Sequence, residues 1–239
     1  MARKGSAAKA RARIVWRIAA VLLLLALLAG GWGWWHVRHW TPDRGLYPMQ
    51  GVEIGASDGE VNWKSLKAIG VNFAYIDASA SVSAFARDPR FVANFVAAKA
   101  AGLQVGAVHR YDPCQPAEMQ SANFVTTVPR DAQLLPPVID LDIVADGCPA
   151  NVSDAKVESE LMTFINQIET HAGKPVILKV SKQFESRYRI AAKLDRNLWL
   201  SRDRFLPDYG GRPWSLWTAN RSLSNDIAQG GLRWVVVQP

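Results

Sequence analysis

The chain has 239 residues, room for one sizeable domain and an appendage. Its net charge of +7 is concentrated at one end, where Arg3, Lys4, Lys9, Arg11, Arg13 and Arg17 precede the first acid, Asp43. Without those six, 22 basic residues face 21 acidic ones, so the basic balance gives no ground for a nucleic-acid partner.

Residues 1–17 read as a basic cytoplasmic tail. Residues 18–35 carry no charge, and eighteen residues of helix span about 27 Å, close to the hydrocarbon thickness of a bilayer. Trp32, Trp34 and Trp35 close the stretch as an aromatic belt. The positive-inside rule keeps the N-terminus cytoplasmic and exports the rest. A cleaved signal peptide is the competing reading, since Ala29-Gly30-Gly31 offers small residues. Bulky tryptophans follow and no Ala-x-Ala is present, which favours an uncleaved signal anchor. Residues 36–49, with Pro42, Gly45 and Pro48, read as a linker to a domain over 50–239.

In that domain, apolar strand-like runs alternate with helical patterns. Strands are expected near 52–54, 71–76, 104–108, 138–142, 176–180, 197–200, 214–217 and 232–237. Helices are expected over 63–69, 91–101, 117–125, 153–170 and 182–192, with Gly70, Gly102 and Gly173 as stops. Eight strands, the first five joined largely through helices, argue an α/β fold closed as a (β/α) barrel. Residues 201–213 are rich in Arg, Asp, Pro and Gly and show no helical face. The expectation is therefore an irregular TIM-like barrel with its last helices missing, preceded by one transmembrane helix.

The chemistry centres on Pro136-Pro137-Val138-Ile139-Asp140-Leu141-Asp142. Prolines exclude helix before it, and the β-branched run suits a buried strand. Asp140 and Asp142, at i and i+2, point to the same side at the strand's C-terminal end, where parallel α/β folds place their sites. Two such carboxylates suit a metal site or a glycosidase acid pair; equally, one could cap the next loop while the other is solvated. Glu53, Asp77, His109, Lys179 and Arg202 also stand at strand ends, and in a barrel these converge on one rim. Trp199, Trp214 and Trp217 add aromatic surface of the kind that stacks on sugars, although core packing is the commoner use of Trp. No Gly-x-Ser-x-Gly, P-loop, His-Glu-x-x-His or Cys-x-x-Cys appears. Of the four histidines only His109 lies at a strand end, which argues against a His-rich zinc site. Cys114 and Cys148 would be bridged outside the cytoplasm or remain two buried thiols.

Taken together, these residues resemble glycoside hydrolase family 25, the Chalaropsis or cellosyl type of lysozyme. The resemblance rests on Gly51-Val52-Glu53-Ile54-Gly55, Gly59 with Asn62-Trp63, Gly70 to Ile76, Asp88-Pro89, Phe91, Asn94 and the run from Ala97 to Gly102. Val105-Gly106-Ala107, Val108-His109-Arg110, Leu135 to Asp142, Lys174 to Ile177 and Leu198-Trp199 extend it, so that it spans about 51–217. It implies a flattened barrel that cleaves the β-1,4 bond between N-acetylmuramic acid and N-acetylglucosamine, without metal or cofactor. By position, Asp142 becomes the general acid and Asp140 the group that steadies the charged intermediate, with Glu53 in support. The substrate's acetamido group becomes the nucleophile. Asp77, His109, Lys179, Arg202 and Trp217 become substrate-binding candidates.

The departures from the pattern bear on catalysis. Asp142 stands where the family has Glu, and Glu53 where it has Asp. Ser79-Ala80-Ser81 replaces Thr-Glu-Gly, and Trp217-Thr218-Ala219 replaces Trp-Gln-Tyr. Lys179 stands where Tyr is usual, and the last strand offers only Arg233 as a charge. Lys179 is expected to oppose acid catalysis by pairing with Asp142. The leading reading is a membrane-anchored, exported muramidase acting on peptidoglycan, with no required protein partner evident. Its rival is an inactive domain that binds glycan or scaffolds an envelope complex. In a barrel, the loops carrying Cys114 and Cys148 leave neighbouring strands, so a bridge holding the rim is expected.

Overall fold

The structure, a computed structural model, describes residues 4–80 and 83–239. The chain forms two compact units, Met1–Trp40 and Thr41–Pro239. The first is one helix, α1 (Lys4–Arg38). Its stretch Ile14–Arg38 is long and apolar enough to cross a membrane, and its leucines are exposed. The helix outruns the charge-free stretch because the flanking alanines and arginines are themselves good helix formers. Trp32 stacks on His36 and Trp35 on His39 at its C-terminal end.

The second unit runs β1 (Gln50–Ile54), α2 (Trp63–Ala68), β2 (Phe73–Asp77), β3 (Ser79–Ala80), β4 (Ser83–Arg87), α3 (Phe91–Ala100), β5 (Gln104–Arg110) and α4 (Ala117–Thr127). It continues with β6 (Val138–Leu141), α5 (Asp154–Ala172), β7 (Ile177–Val180), α6 (Lys182–Tyr188), α7 (Ile190–Lys193), β8 (Asn197–Ser201), β9 (Leu216–Leu223) and β10 (Leu232–Val237). Eight strands close a barrel in the order β1-β2-β5-β6-β7-β8-β9-β10, and β3 and β4 form a separate hairpin. The helices start and stop where local chemistry dictates. Asn62 accepts from the Ser65 amide, Ser153 from Lys156 and Ser181 from Phe184. Gly102 and Gly173 take the left-handed backbone that ends α3 and α5. The expected helix over 182–192 is broken at Arg189, whose φ of 51° is left-handed and separates α6 from α7.

The last third departs from (β/α) regularity as expected. β8 reaches its parallel neighbour β9 through 202–215 without a helix. β10 runs antiparallel to both β9 and β1. Residues 224–231 are too few for a parallel crossover, which needs a dozen or more. The reversal matters for the site, because β10 meets the rim with its N-terminal half.

Inward-facing positions form two layers. The lower one is apolar: Phe73, Tyr75, Val108, Val138, Ile177, Trp199, Leu216 and Val235. One pleat further toward the rim the side chains become polar: Glu53, Asp77, Arg110, Asp140, Lys179 and Arg233 are charged, and Ser201 on β8 and Thr218 on β9 carry hydroxyls. Residues 41–49, read as linker, bind to this domain: Gln50 donates to the carbonyls of Pro42 and Tyr47, and Arg44 to those of Ile69 and Gly70.

Cys114 and Cys148 are joined by a disulfide, with Cα atoms 5.2 Å apart. β5 and β6 are barrel neighbours, so their following loops leave the rim together. The bridge closes a loop with a sequence separation of 34. Opening a loop of this size should lower stability by roughly 3–4 kcal/mol. Denaturant titration of the Cys114→Ser/Cys148→Ser variant checks this; a loss under 1 kcal/mol would mean that the rim is held by packing.

Candidate active site

Strand register builds the site. In neighbouring parallel strands Arg110 pairs with Asp140, and Asp140 with Lys179. In the antiparallel pair Glu53 stands opposite Arg233. Arg110, Asp140, Lys179 and Arg233 are two residues rimward of apolar layer members, and Glu53 is two rimward of Gly51; all point inward. With Asp77 at the end of β2, Ser79 and Asp142, they line a polar cavity of about 190 Å³ at the barrel mouth.

The charges are tightly interlocked. The Lys179 ammonium donates to Glu53 at 2.5 Å and to Asp140 at 3.2 Å. Arg233 reaches Asp77 at 3.0 Å, Asp58 at 3.2 Å and Glu53 at 3.6 Å. Arg110 donates to Asp142 at 2.9 Å, and its backbone N–H donates to Ser79 Oγ. Gly55 makes room for Asp77: a Cβ there would lie 2.2 Å from the Asp77 carboxylate. Glu53 is almost fully buried, whereas the Asp142 side chain is 50% exposed.

Burial pushes the Glu53 carboxyl up, but Lys179 and Arg233 outweigh it and hold the group below its ordinary range. Burial also dominates at Asp140, which stays raised despite Lys179, and at Asp77, which is pushed up to about 7 against Arg233. Burial works against the Lys179 ammonium, yet Asp140 and Glu53 together raise its affinity for the proton. Lys179 therefore serves Glu53 and Asp140, and the cation at Asp142 is Arg110. This corrects the expected Lys179–Asp142 pair: Asp142 lies beyond the last residue of β6, outside the row that Lys179 faces.

Three expected rim residues do not line the cavity. His109 has the opposite parity to Val108 and Arg110, so it faces out into the layer between barrel and helices. It is 1% exposed, with Phe164 at 5.0 Å and Phe124 at 6.1 Å between ring centres. Arg202 sits on the loop after β8, paired with Asp208 at 2.6 Å. Trp217 points out from β9, edge-on to Tyr47 and Trp214, and its indole N–H donates to the Arg202 carbonyl. Arg110 and Arg233, conversely, carry much of the site. Arg110 was legible as the residue two beyond Val108. Arg233 was hidden by the strand reversal.

His109 supplies a test of this placement. Burial lowers its pKa to about 4, with the Gln120 side chain opposing. A group depressed in the folded state contributes stability above its unfolded pKa that is lost as pH falls through the folded one. Between pH 7 and pH 4 the parent should therefore lose about 3 kcal/mol relative to His109→Leu. Asp77, raised on folding, acts with the opposite sign, losing its contribution as pH rises through about 7; it cancels in the difference. A flat difference in urea-unfolding free energies across that range would place His109 in water.

A closed eight-stranded barrel carries its carboxylate-lined cavity at the C-terminal mouth of its parallel strands, where such barrels place their sites. The model of glycosyl hydrolases family 25 matches residues 52–222. The chain belongs to this family. Lysozyme M1 of Streptomyces globisporus is 33% identical over 98 residues, 39% of this chain. That match spans a third of the relative's own length. A family 25 glycosyl hydrolase from Bacillus anthracis superposes with a TM-score of 0.73 at 26% identity, covering 84% of this chain and 93% of that one. A bacterial lysozyme from Streptomyces coelicolor shares the fold, with a TM-score of 0.68 at 22% identity over 80% of this chain and 92% of that one.

Proposed function

We propose that the chain is a peptidoglycan hydrolase cleaving the β-1,4 bond between N-acetylmuramic acid and N-acetylglucosamine. One observation carries the reading: Asp140 and Asp142 line one cavity in different environments. Asp140 is largely buried and bonded to Lys179; Asp142 is half-exposed at the mouth. Two carboxyls held in different surroundings can take different roles. Asp142 would act as the general acid, giving a proton to the glycosidic oxygen as the C–O bond breaks. The substrate's acetamido oxygen would attack the anomeric carbon, and Asp140 would steady the positive charge that forms. Water would then open the cyclic intermediate, returning a proton to Asp142. Glu53, pinned by Lys179, would hold Lys179 and through it Asp140.

Binding without hydrolysis is the second reading. It is favoured by the ion pairs at every cavity carboxylate, Arg110 on Asp142 included. Release of reducing ends from purified peptidoglycan by the full chain in detergent separates the two. Hydrolysis strongest at acidic pH is expected. Bound but intact glycan from pH 4 to 8 would replace the first reading by the second.

The apolar stretch Ile14–Arg38 supports a membrane anchor with the barrel outside the cytoplasm, since basic residues precede it. A reporter fused after Pro239 should be active only outside, and the protein should resist alkaline extraction. Soluble protein beginning near Gly30 would overturn the anchor.

A further inference from the structure

The cavity does not end at the carboxylate pair. Asp140, Asp142 and Lys179 also form one wall of a second lobe of about 250 Å³. Its other walls come from elements that no catalytic step above uses: Ser181 and Lys182 after β7, Tyr209 on the helix-free loop and Arg221 on β9. The lobe is built, not incidental. The Tyr209 hydroxyl accepts from the Ser201 N–H and donates to the Val180 carbonyl, tying the loop to both strands. Asp203 holds the Arg221 guanidinium through Nε and Nη2 at 2.9 and 2.8 Å.

Charge decides what the lobe takes. Its two carboxylates are already matched, Asp140 by Lys179 and Asp142 by Arg110. Arg221 is matched by Asp203. Lys182 is exposed and makes no ion pair or hydrogen bond among the described residues. One cation is left over, beside the Ser181 hydroxyl, whose oxygen accepts from the Phe184 N–H and whose proton is free to donate, and an arginine fixed in place.

We propose that this lobe binds a carboxylate borne by the glycan strand, with Lys182 as its principal counter-charge and Arg221 and Ser181 as flanking donors. The inference rests on the glycan reading above but not on hydrolysis. Two groups supply such a carboxylate next to the scissile sugar: the lactyl group of N-acetylmuramic acid, and the peptide stem that substitutes it. A strand of N-acetylglucosamine alone has neither. The lobe would thus select acid-bearing strands over neutral ones of the same backbone, and its preference should weaken with salt.

The test measures binding of the full chain in detergent to three glycans of matched length: peptide-bearing strands, strands stripped of peptide by an amidase, and chitin oligomers. A charge-assisted contact of this kind is expected to favour the preferred acid-bearing strand over chitin by about tenfold. Preference for the stripped strand alone assigns the lactyl carboxylate, which the peptide-bearing strand carries as an amide; preference for the peptide-bearing strand alone assigns the stem; preference for both means that the lobe takes either carboxylate. Lys182→Glu, at an exposed position, should fold as the parent does, abolish the preference and leave chitin binding unchanged. Equal binding of all three glycans, a preference that survives Lys182→Glu, or no glycan binding would overturn the inference. Hydrolysis of charged and neutral strands alike would overturn it while sparing the hydrolase reading. Selective binding without cleavage would do the reverse.

Discussion

Lys179→Met should cost roughly 3–5 kcal/mol of folding stability, the range for removing one partner of a buried ion pair. Lys179 is the shared counter-ion of Glu53, whose side chain is 3% exposed, and of Asp140, 18% exposed. Methionine matches the length of the stem but leaves Glu53 with only the 3.6 Å contact to Arg233. Urea denaturation reads the loss. The double variant Lys179→Met/Glu53→Gln should recover a substantial part of it, because the stranded charge is then gone. A single variant as stable as the parent would mean that water reaches Glu53 and the interlocked network contributes little. The same geometry turns Lys179→Tyr, which would bring the position back to the family's usual residue, into a destabilising change.

Asp140→Asn should lower turnover on peptidoglycan by on the order of 10²–10³-fold, the span for removing one group that stabilises charge in the transition state. Folding should survive, because Lys179 keeps Glu53 as its partner at 2.5 Å. Activity without Asp140, measured as reducing ends released by a folded variant, would move the chemistry to another carboxyl. Asp142→Glu is the complementary change. Asp142 lies at the open mouth, where one more methylene adds reach without overpacking a core. Its turnover should rise above the parent's. A drop would show that the bond to Arg110 sets the position of the acid.

Much of the fold was legible along the chain because it depends on neighbours in sequence. The charge-free run within α1, the caps at Asn62, Ser153 and Ser181, the Gly102 and Gly173 stops, and the Pro-Pro start of β6 are all local chemistry. The i, i+2 parity of Asp140 and Asp142 is local too, and both do face one cavity. The same parity places Lys179 on the inward side with Ile177. His109 was expected at the rim from its strand-end position, not from parity; β5 runs on to Arg110, and parity makes Arg110 the inward residue there.

Which charge meets which was decided by tertiary structure alone. Ion pairing depends on distances between residues far apart in the chain: Asp140 and Lys179 are 39 residues apart, and Asp77 and Arg233 are 156. Those distances follow from barrel register and from the reversal of β10, neither of which leaves a mark in the local pattern. The sequence by itself determined the strands, their faces and the carboxylate pair. Only closure of the barrel decided that Lys179 serves Glu53 and Asp140, that Arg110 serves Asp142, and that Arg233 is buried among three acids, because a charge takes its partner from space.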